Sequence, residues 1–288
     1  MSKEKFIVSF NLAGWAWDST GEAWGSRLVR ACQMIKEEAP NAWLIGLSEV
    51  IPGTNNQYIA TIQKHFPDYL IVFPEGYQEN YRSAINILLI NKEGYRRHNV
   101  RTLDQLEDSL LYNYVTLVTE YGWYRILSVH MPHTCNADKP EAYQQKRKAL
   151  RKYFEEAVVL ECEKYRNEPD IQFIFMGDLN AGPEDAYIRK LTNPCNPVLF
   201  NAIPVQERKK PTWKKQGCTP AHLDYIFYSI GSLTGDVIDV CDNDIIMTPI
   251  ENQISDHAMI LGRVRTNTCT MMGDEVIKNG EDQESSYQ

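Results

Sequence analysis

The sequence lacks the marks of several large protein classes. No run of about 18 apolar residues occurs, so no membrane-crossing helix is expected. The opening Met1–Lys5 leads straight into a short strand-like run without the apolar stretch of a secretory leader. The cysteines, 7 in all, are scattered and form no CxxC pair, which argues against a zinc ribbon or a disulfide framework. A reduced, cytoplasmic compartment is the expectation. An excess of positive charge is also missing: Lys and Arg total 30 against 38 Asp and Glu, giving a net charge of -8. That excludes a non-specific nucleic-acid coat, whose affinity comes from lysine and arginine neutralising phosphates. It does not exclude a nuclease, because carboxylates gathered around a cation acidify a chain while the bound ion reverses the local potential. No internal repeat and no Gly/Ser/Pro linker divides the chain. One domain over residues 1–265 is expected, followed by a polar, acidic and disordered tail over 266–288.

What is present is a long series of short apolar runs. Phe6–Leu12, Trp43–Leu47, Tyr69–Phe73, Ala84–Ile90, Tyr114–Thr119, Tyr124–Val129, Ile171–Met176, Leu223–Tyr228, Asp236–Val240 and Met259–Val264 read as strands. Helical periodicity is confined to Glu22–Glu38, Gln57–His65 and a long stretch from Glu141 to about Tyr165, in which Ala149, Leu150, Tyr153, Phe154, Ala157 and Val158 share a face. Many strands with few helices do not follow βαβ alternation, so two packed sheets with helices outside fit better than a doubly wound sheet.

Polar groups recur at the ends of these apolar runs, and they carry the chemistry. In FIFMGDLNAGP the strand runs into Gly177-Asp178-Leu179-Asn180, and the two-residue period aims Asp178 and Asn180 the same way. Ser255-Asp256-His257, just before a strand, sets a carboxylate beside an imidazole and so joins a metal ligand to a general base. FIVSFNL places Asn11 at a strand end, WLIGLSEV does the same for Glu49, RILSVHMPHT for His130 with His133 nearby, and HLDYIFYS sets Asp224 in an apolar strand beside His222. A carboxylate is almost never buried unpaired, and hard oxygen ligands without cysteine favour Mg2+ or Mn2+ over zinc.

Taken in order, Asn11, Glu49, His130, Asp178 with Asn180, Asp224, and Asp256 with His257 resemble the endonuclease/exonuclease/phosphatase (DNase I-like) superfamily, over about residues 6–265. The resemblance implies an α+β fold, a four-layer αββα sandwich of two mixed sheets flanked by helices. By the same resemblance Glu49 is the principal metal ligand with Asn11 and Asp256. His257, oriented by Asp224, activates water together with Asp178, while Asn180 and His130 hold the phosphoryl oxygens. Two departures stand out: Tyr112-Asn113 occupies a strand where many relatives place an arginine, and LSEV replaces the commoner LQEV. Repair endonucleases of this superfamily usually carry tyrosine where His130 stands, so the histidine implies hydrolysis of ordinary phosphate esters without preference for abasic DNA.

The function that follows is metal-dependent hydrolysis of a phosphodiester, with nucleic acid as first substrate. The alternatives are a phosphomonoesterase or phospholipase C-like enzyme acting on inositol phosphates or phospholipid head groups, and a non-catalytic binding module of the same fold. Trp213, in Pro211-Thr212-Trp213, resembles a substrate contact of the family. Trp15 and Trp17 are placed to stack on a base or to pack over a loop. The Lys146, Arg147, Lys148, Arg151, Lys152 cluster reads as a solvated helix face. His222 reads as structural as readily as catalytic, and His65, His98 and His133 take no role.

Overall fold

The computed structural model describes residues 4–14, 23–79, 83–101, 111–119, 122–133, 139–166, 171–192, 200–201, 210–214, 218–229, 239–240, 244–246 and 254–265. Trp15, Trp17, Lys209, Lys215 and the 266–288 tail lie outside them. In chain order the first sheet is built from β1 (Glu4–Asn11), β2 (Ala42–Val50), β3 (Tyr69–Val72) and β4 (Ile85–Asn91), with α1 (Trp24–Glu38) and α2 (Gln57–His65) between them. The second takes β5 (Arg97–Arg101), β6 (Tyr112–Thr119), β7 (Gly122–His130), β8 (Ile171–Asp178), β9 (Phe200–Asn201) and β10 (Asp224–Tyr228), with α3 (Glu141–Arg166) and α4 (Ala186–Leu191). The chain then returns to the first sheet through β11 (Asp239–Val240), β12 (Asp244–Ile246) and β13 (Met259–Arg265). The strand orders are β11-β13-β1-β2-β4-β3, with β12 also beside β13, and β5-β6-β7-β8-β10-β9.

Among these strands β1 runs parallel to β2, and β7 parallel to β8, and every other pair is antiparallel. A parallel neighbour needs a crossover, which α1 and α3 supply. In α1 the buried Trp24, Leu28, Ala31, Cys32 and Ile35 form one helical stripe. They pack on Val8, Phe10, Ile45, Leu47 and Leu89 of the first sheet. In α3 the stripe is Phe154, Val158 and Cys162, against Leu127, Val129, Phe173 and Phe175 of the second. Tyr153, expected on that stripe, is 41% exposed, because it lies one residue off the four-residue period.

A third apolar layer lies between the sheets, where Ile7, Leu44, Leu88 and Ile260 meet Val115, Ile126, Ile174 and Ile226. The expected αββα sandwich is therefore what forms. Along the strands this middle layer changes character. Toward one end, buried Asn11, Ser48, Asn86, Asn113, Ser128, Asp178 and Asp224 replace the aliphatic side chains. The Asn86 amide donates to the Leu111 carbonyl (2.6 Å) and the Asn113 amide to the Asn86 carbonyl (2.9 Å), stitching the sheets together. Leaving a buried polar group unpaired costs about 1–3 kcal/mol, and these bonds offset part of that cost, while Asn113 Oδ1, Ser128 Oγ and Asp224 Oδ1 stay buried without a hydrogen-bond partner.

Candidate active site

Asn11 closes β1 at this polar end. Its side-chain N–H groups face the carboxylates of Asp178 (2.9 Å) and Glu49 (3.3 Å), and His257 Nε2 lies 3.4 Å away. Its carbonyl oxygen accepts from the Ala13 N–H at 2.9 Å, so the amide bridges acids from both sheets. Ser255 Oγ donates to the Asn11 backbone carbonyl (2.6 Å) and accepts from the His257 N–H (3.1 Å), tying β1 to the segment before β13.

Glu49 stands where the β2–β4 register shifts between Leu47 and Val50, and it holds φ at 55°. Ala13 (48°) and Asn180 (46°) share that left-handed region, so three strained residues converge here. Such conformations cost of order 1–3 kcal/mol each for residues other than glycine and cluster where a side chain must be aimed. Gly14 passes so close to the Glu49 carbonyl that a Cβ there would collide with it.

On the second sheet, Gly177 (φ 138°) brings β8 against Val129, whose carbonyl would strike any Cβ, and Asp178 follows at the strand end. Asp178 is 2% exposed, and its other oxygen accepts from the Asn180 N–H at 2.8 Å. The Asn180 side-chain amide donates to the Met131 carbonyl at 2.8 Å. His130 Nε2 lies 3.5 Å from Glu49 across the gap between the sheets and 3.7 Å from Asp178, its neighbour on β8.

His257 Nδ1 sits 2.9 Å from Asp224 Oδ2, and both residues are buried. Thr212 Oγ1 donates to the same Asp224 oxygen (2.7 Å) while accepting from the Leu223 and Asp224 N–H groups. Burial pushes the Asp224 carboxyl up to about 6, with Asp178 adding to the rise and the His257 charge and the Thr212 hydroxyl opposing it. Burial alone would lower the His257 imidazole, but the carboxylates of Asp224, Asp178 and Asp256 outweigh it and carry it up to about 10. Asp178, Asp224 and His257 offer ligand atoms all within 4.8 Å of one another. Since His257 Nδ1 is already committed to Asp224, this trio suits a proton relay better than a cation cage, with Nε2 left facing Asp178 (3.7 Å) and Asp256 (3.9 Å).

No protein-family model and no curated protein matches the sequence. Solved structures do match. D. rerio TDP2 complexed with a single strand DNA product aligns at TM-score 0.61 and 17% identity, over 91% of this chain and 99% of that one. Truncated Caenorhabditis elegans TDP2 aligns at 0.60 and 18%, over 91% and 98%. An endonuclease/exonuclease/phosphatase family protein from Bacteroides thetaiotaomicron aligns at 0.62 and 13%, over 93% and 99%. The chain has the endonuclease/exonuclease/phosphatase fold. At this identity the likeness speaks for the fold, and chemistry must be argued from the residues in place.

Within this endonuclease/exonuclease/phosphatase fold, Asn11, Glu49, His130, Asp178, Asn180, Trp213, Asp224, Asp256 and His257 all reach the polar end, though not always in the expected posture. Trp213, expected to face substrate, donates its indole N–H to Asp256 Oδ2 at 3.2 Å and forms isolated bridges with Ala221 and His257. It therefore holds the Asp256 carboxylate, whose other oxygen is buried without a hydrogen-bond partner. His222 Nδ1 lies 2.8 Å from the Lys210 carbonyl and its ring packs edge-on against Tyr225, a structural placement. Asn113, at the position where an arginine was considered, is spent on joining the sheets.

Sequence reasoning missed three residues. Thr212 is one, since a lone threonine gives no signal until Asp224 is found beside it. The others are buried arginines. Arg27 of α1 donates to the carbonyls of Ala13 (3.1 Å) and Ile254 (2.9 Å), bracing the segments that carry Asn11 and Ser255–His257. Arg151 of α3 is 8% exposed and donates to the carbonyls of Pro132 (3.1 Å), Asn180 (2.8 Å) and Leu179 (3.4 Å), and to Glu155 (2.7 Å). Its inclusion in a solvated basic face is thus corrected: it braces the loops after β7 and β8.

Proposed function

We propose that the chain is a divalent-metal-dependent phosphoric ester hydrolase, with a phosphodiester of nucleic acid as its first substrate. The observation that carries this reading is the convergence of Glu49, Asp178, Asp224 and Asp256 with His130, His257, Asn11 and Asn180 at one end of two facing sheets. A binding surface has no need of a buried Asp224–His257 pair aimed at further carboxylates, which disfavours a non-catalytic module.

The residues fit a hard cation. Glu49 and Asp256 are oxygen donors, and the buried, unpartnered Asp256 Oδ1 is the kind of atom a cation satisfies. Glu49 and Asp256 would hold Mg2+ or Mn2+. Asn11 would join them after its amide turns over, because its oxygen now serves Ala13. Such an ion, when bound, supplies Lewis-acid stabilisation of negative charge on the phosphoryl group. His257 Nε2 would take the proton of the attacking water once a bound cation offset the carboxylates that hold its imidazole protonated, and Asp224, fixed by Thr212, would steady the imidazolium that results. Asp178 orients that water, and His130 with the Asn180 amide donates to phosphoryl oxygens that gain charge in the in-line transition state. The TDP2 neighbour with a single strand DNA product supports nucleic acid as first choice. No helix among the described residues is long and apolar enough to cross a membrane, and Cys32, Cys162 and Cys218 are free thiols, in keeping with a cytoplasmic enzyme.

A substrate panel with magnesium tests this: single-stranded and duplex DNA, an oligonucleotide with and without an abasic site, RNA, inositol phosphates and sphingomyelin. Hydrolysis of ordinary phosphodiesters is expected, with no abasic preference, lost in EDTA and restored by Mg2+ or Mn2+. Full activity in chelator would sink the metal assignment, and turnover confined to inositol phosphates or sphingomyelin would replace the nuclease reading. No hydrolysis of any substrate would overturn the hydrolase reading itself.

A further inference from the structure

The site gathers four carboxylates and is bare of committed cations, while its substrate is a polyanion. Asn11, Glu49, His130, Asp178, Asn180, Asp224, Asp256 and His257 include no lysine or arginine, and the net charge of the chain is -8. A strand of nucleic acid approaching the mouth would meet negative charge on both sides of the scissile phosphate. Arg147, on α3, is a candidate to answer this.

α3 follows β7 and leads into the parallel β8, so it runs antiparallel to both, and its first turns reach past the strand ends where the site lies. Arg151 fixes the level, because its guanidinium bonds the Asn180 and Pro132 carbonyls just beyond those ends. Arg147 lies one turn earlier on the same helix face, about 5 Å farther along the helix beyond the strand ends. It is half-buried, and its Nε is shielded from solvent without a hydrogen-bond partner. No carboxylate pairs with it among the described residues, unlike Arg151 with Glu155 (2.7 Å) and Lys152 with Glu156 (3.8 Å). Removing part of a guanidinium from water without supplying an acceptor is costly, and an arriving phosphate would meet that need with two parallel hydrogen bonds.

We propose that Arg147 is a substrate-binding residue that clamps a phosphate next to the scissile one, which makes the enzyme selective for substrates carrying more than one backbone phosphate. The proposal takes its site from the hydrolase reading but is tested without turnover. A fluorescently labelled single-stranded oligonucleotide is titrated with magnesium present, in a His257→Gln background that keeps the strand intact. Arg147→Ala should weaken binding about tenfold, the low end for a charge-assisted hydrogen bond, and should reduce the salt slope by about 0.7, the share of one single-strand phosphate contact. Arg147→Lys should recover part of the affinity. Lys152→Ala removes the same charge from a surface position (77% exposed) and should change binding less than twofold.

Equal losses for Arg147→Ala and Lys152→Ala would reduce Arg147 to a contributor to the general field, and unchanged binding would remove it altogether. So would a loss that tracks a lower melting temperature and is not rescued by lysine, or a His257→Gln protein that fails to bind the oligonucleotide. Binding that depends on Arg147 in a protein that hydrolyses nothing would leave this inference standing and overturn the hydrolase reading alone. Hydrolysis without an Arg147 effect would do the reverse.

Discussion

β1, α1 and β2 on one side of the sandwich, and β7, α3 and β8 on the other, are the same unit used twice. In each, a helix joins two parallel strands, the first strand ends in a nitrogen-bearing side chain (Asn11, His130), and the second carries a carboxylate at its last residue (Asp178) or one before it (Glu49). Each helix also sends one buried arginine to carbonyls past the strand ends, Arg27 in the first unit and Arg151 in the second. The units differ in how far each carboxylate is satisfied. Asp178 takes hydrogen bonds at 2.9 and 2.8 Å and is 2% exposed. The contacts of Glu49 are looser, 3.3 Å to Asn11 and 3.5 Å to His130, on a strained backbone that swings it out of the strand. Each Asp178 oxygen has a hydrogen-bond donor from the protein, whereas both contacts of Glu49 fall on Oε1. On the proposed reading, that difference assigns the cation to the first unit and the orientation of water and substrate to the second.

The proposed base belongs to neither unit. His257 precedes β13 of the first sheet and Asp224 opens β10 of the second, so their 2.9 Å hydrogen bond spans the gap the two units face. The largest effect should therefore come from the junction. His257→Ala is expected to lower turnover by about 10²-fold or more, the usual contribution of a positioned base, with the melting temperature showing a folded protein. Wild-type turnover in a folded His257→Ala protein would move the chemistry back into one of the units and undo the division of labour between them.

Next in size are the two arginines. Each variant, Arg27→Ala or Arg151→Ala, leaves buried carbonyls without donors, and a loss of roughly 2–4 kcal/mol in unfolding free energy is expected. A buried cysteine on each helix reports where the loss falls. Burial pushes the Cys32 thiol of α1 up to about 12, against the opposing charge of Lys36, and burial with Glu161 and Glu163 holds Cys162 of α3 well above its ordinary value. Both should resist labelling in the native protein. Peptide-resolved mass spectrometry should find Cys32 labelling accelerated more by Arg27→Ala, and Cys162 more by Arg151→Ala. Equal acceleration in both variants would mean that the units open together.

What the sequence disclosed follows from the range of each signal. Strands announce themselves through adjacent residues, so β1, β2, β3, β4, β6, β7, β8, β10 and β13 were legible, as were polar groups at the ends of several of them. β5, rich in arginine, and the two- and three-residue β9 and β12 carry no such pattern and form by pairing with a neighbour. Asn11, Glu49, Asp178 and His257 were visible for the same local reason, each being a polar break in an apolar run. Arg27 and Arg151 were not, because a helical arginine looks solvated until the carbonyls it serves, from residues far along the chain, are brought to it. The hydrogen bond from the Trp213 indole to Asp256 was not legible either, since nothing adjacent in sequence reveals it.

The comparison between the two carboxylates is itself open to a direct test with a smaller expected effect. Glu49→Gln and Asp178→Asn each remove one negative charge and keep the shape. If Glu49 has the open lone pairs, Glu49→Gln should weaken magnesium binding, read by isothermal titration without substrate, by about tenfold or more, since a hard cation prefers an ionised oxygen to an amide. Asp178→Asn should weaken it less, because its two oxygens are already taken by Asn11 and the Asn180 N–H. It should instead lower turnover at saturating magnesium, by loosening the water that His257 must deprotonate. The opposite order, with Asp178→Asn the more damaging to magnesium affinity, would transfer the cation to the second unit. The trio of Asp178, Asp224 and His257, whose ligand atoms lie within 4.8 Å of one another, would then be the cation site rather than the relay.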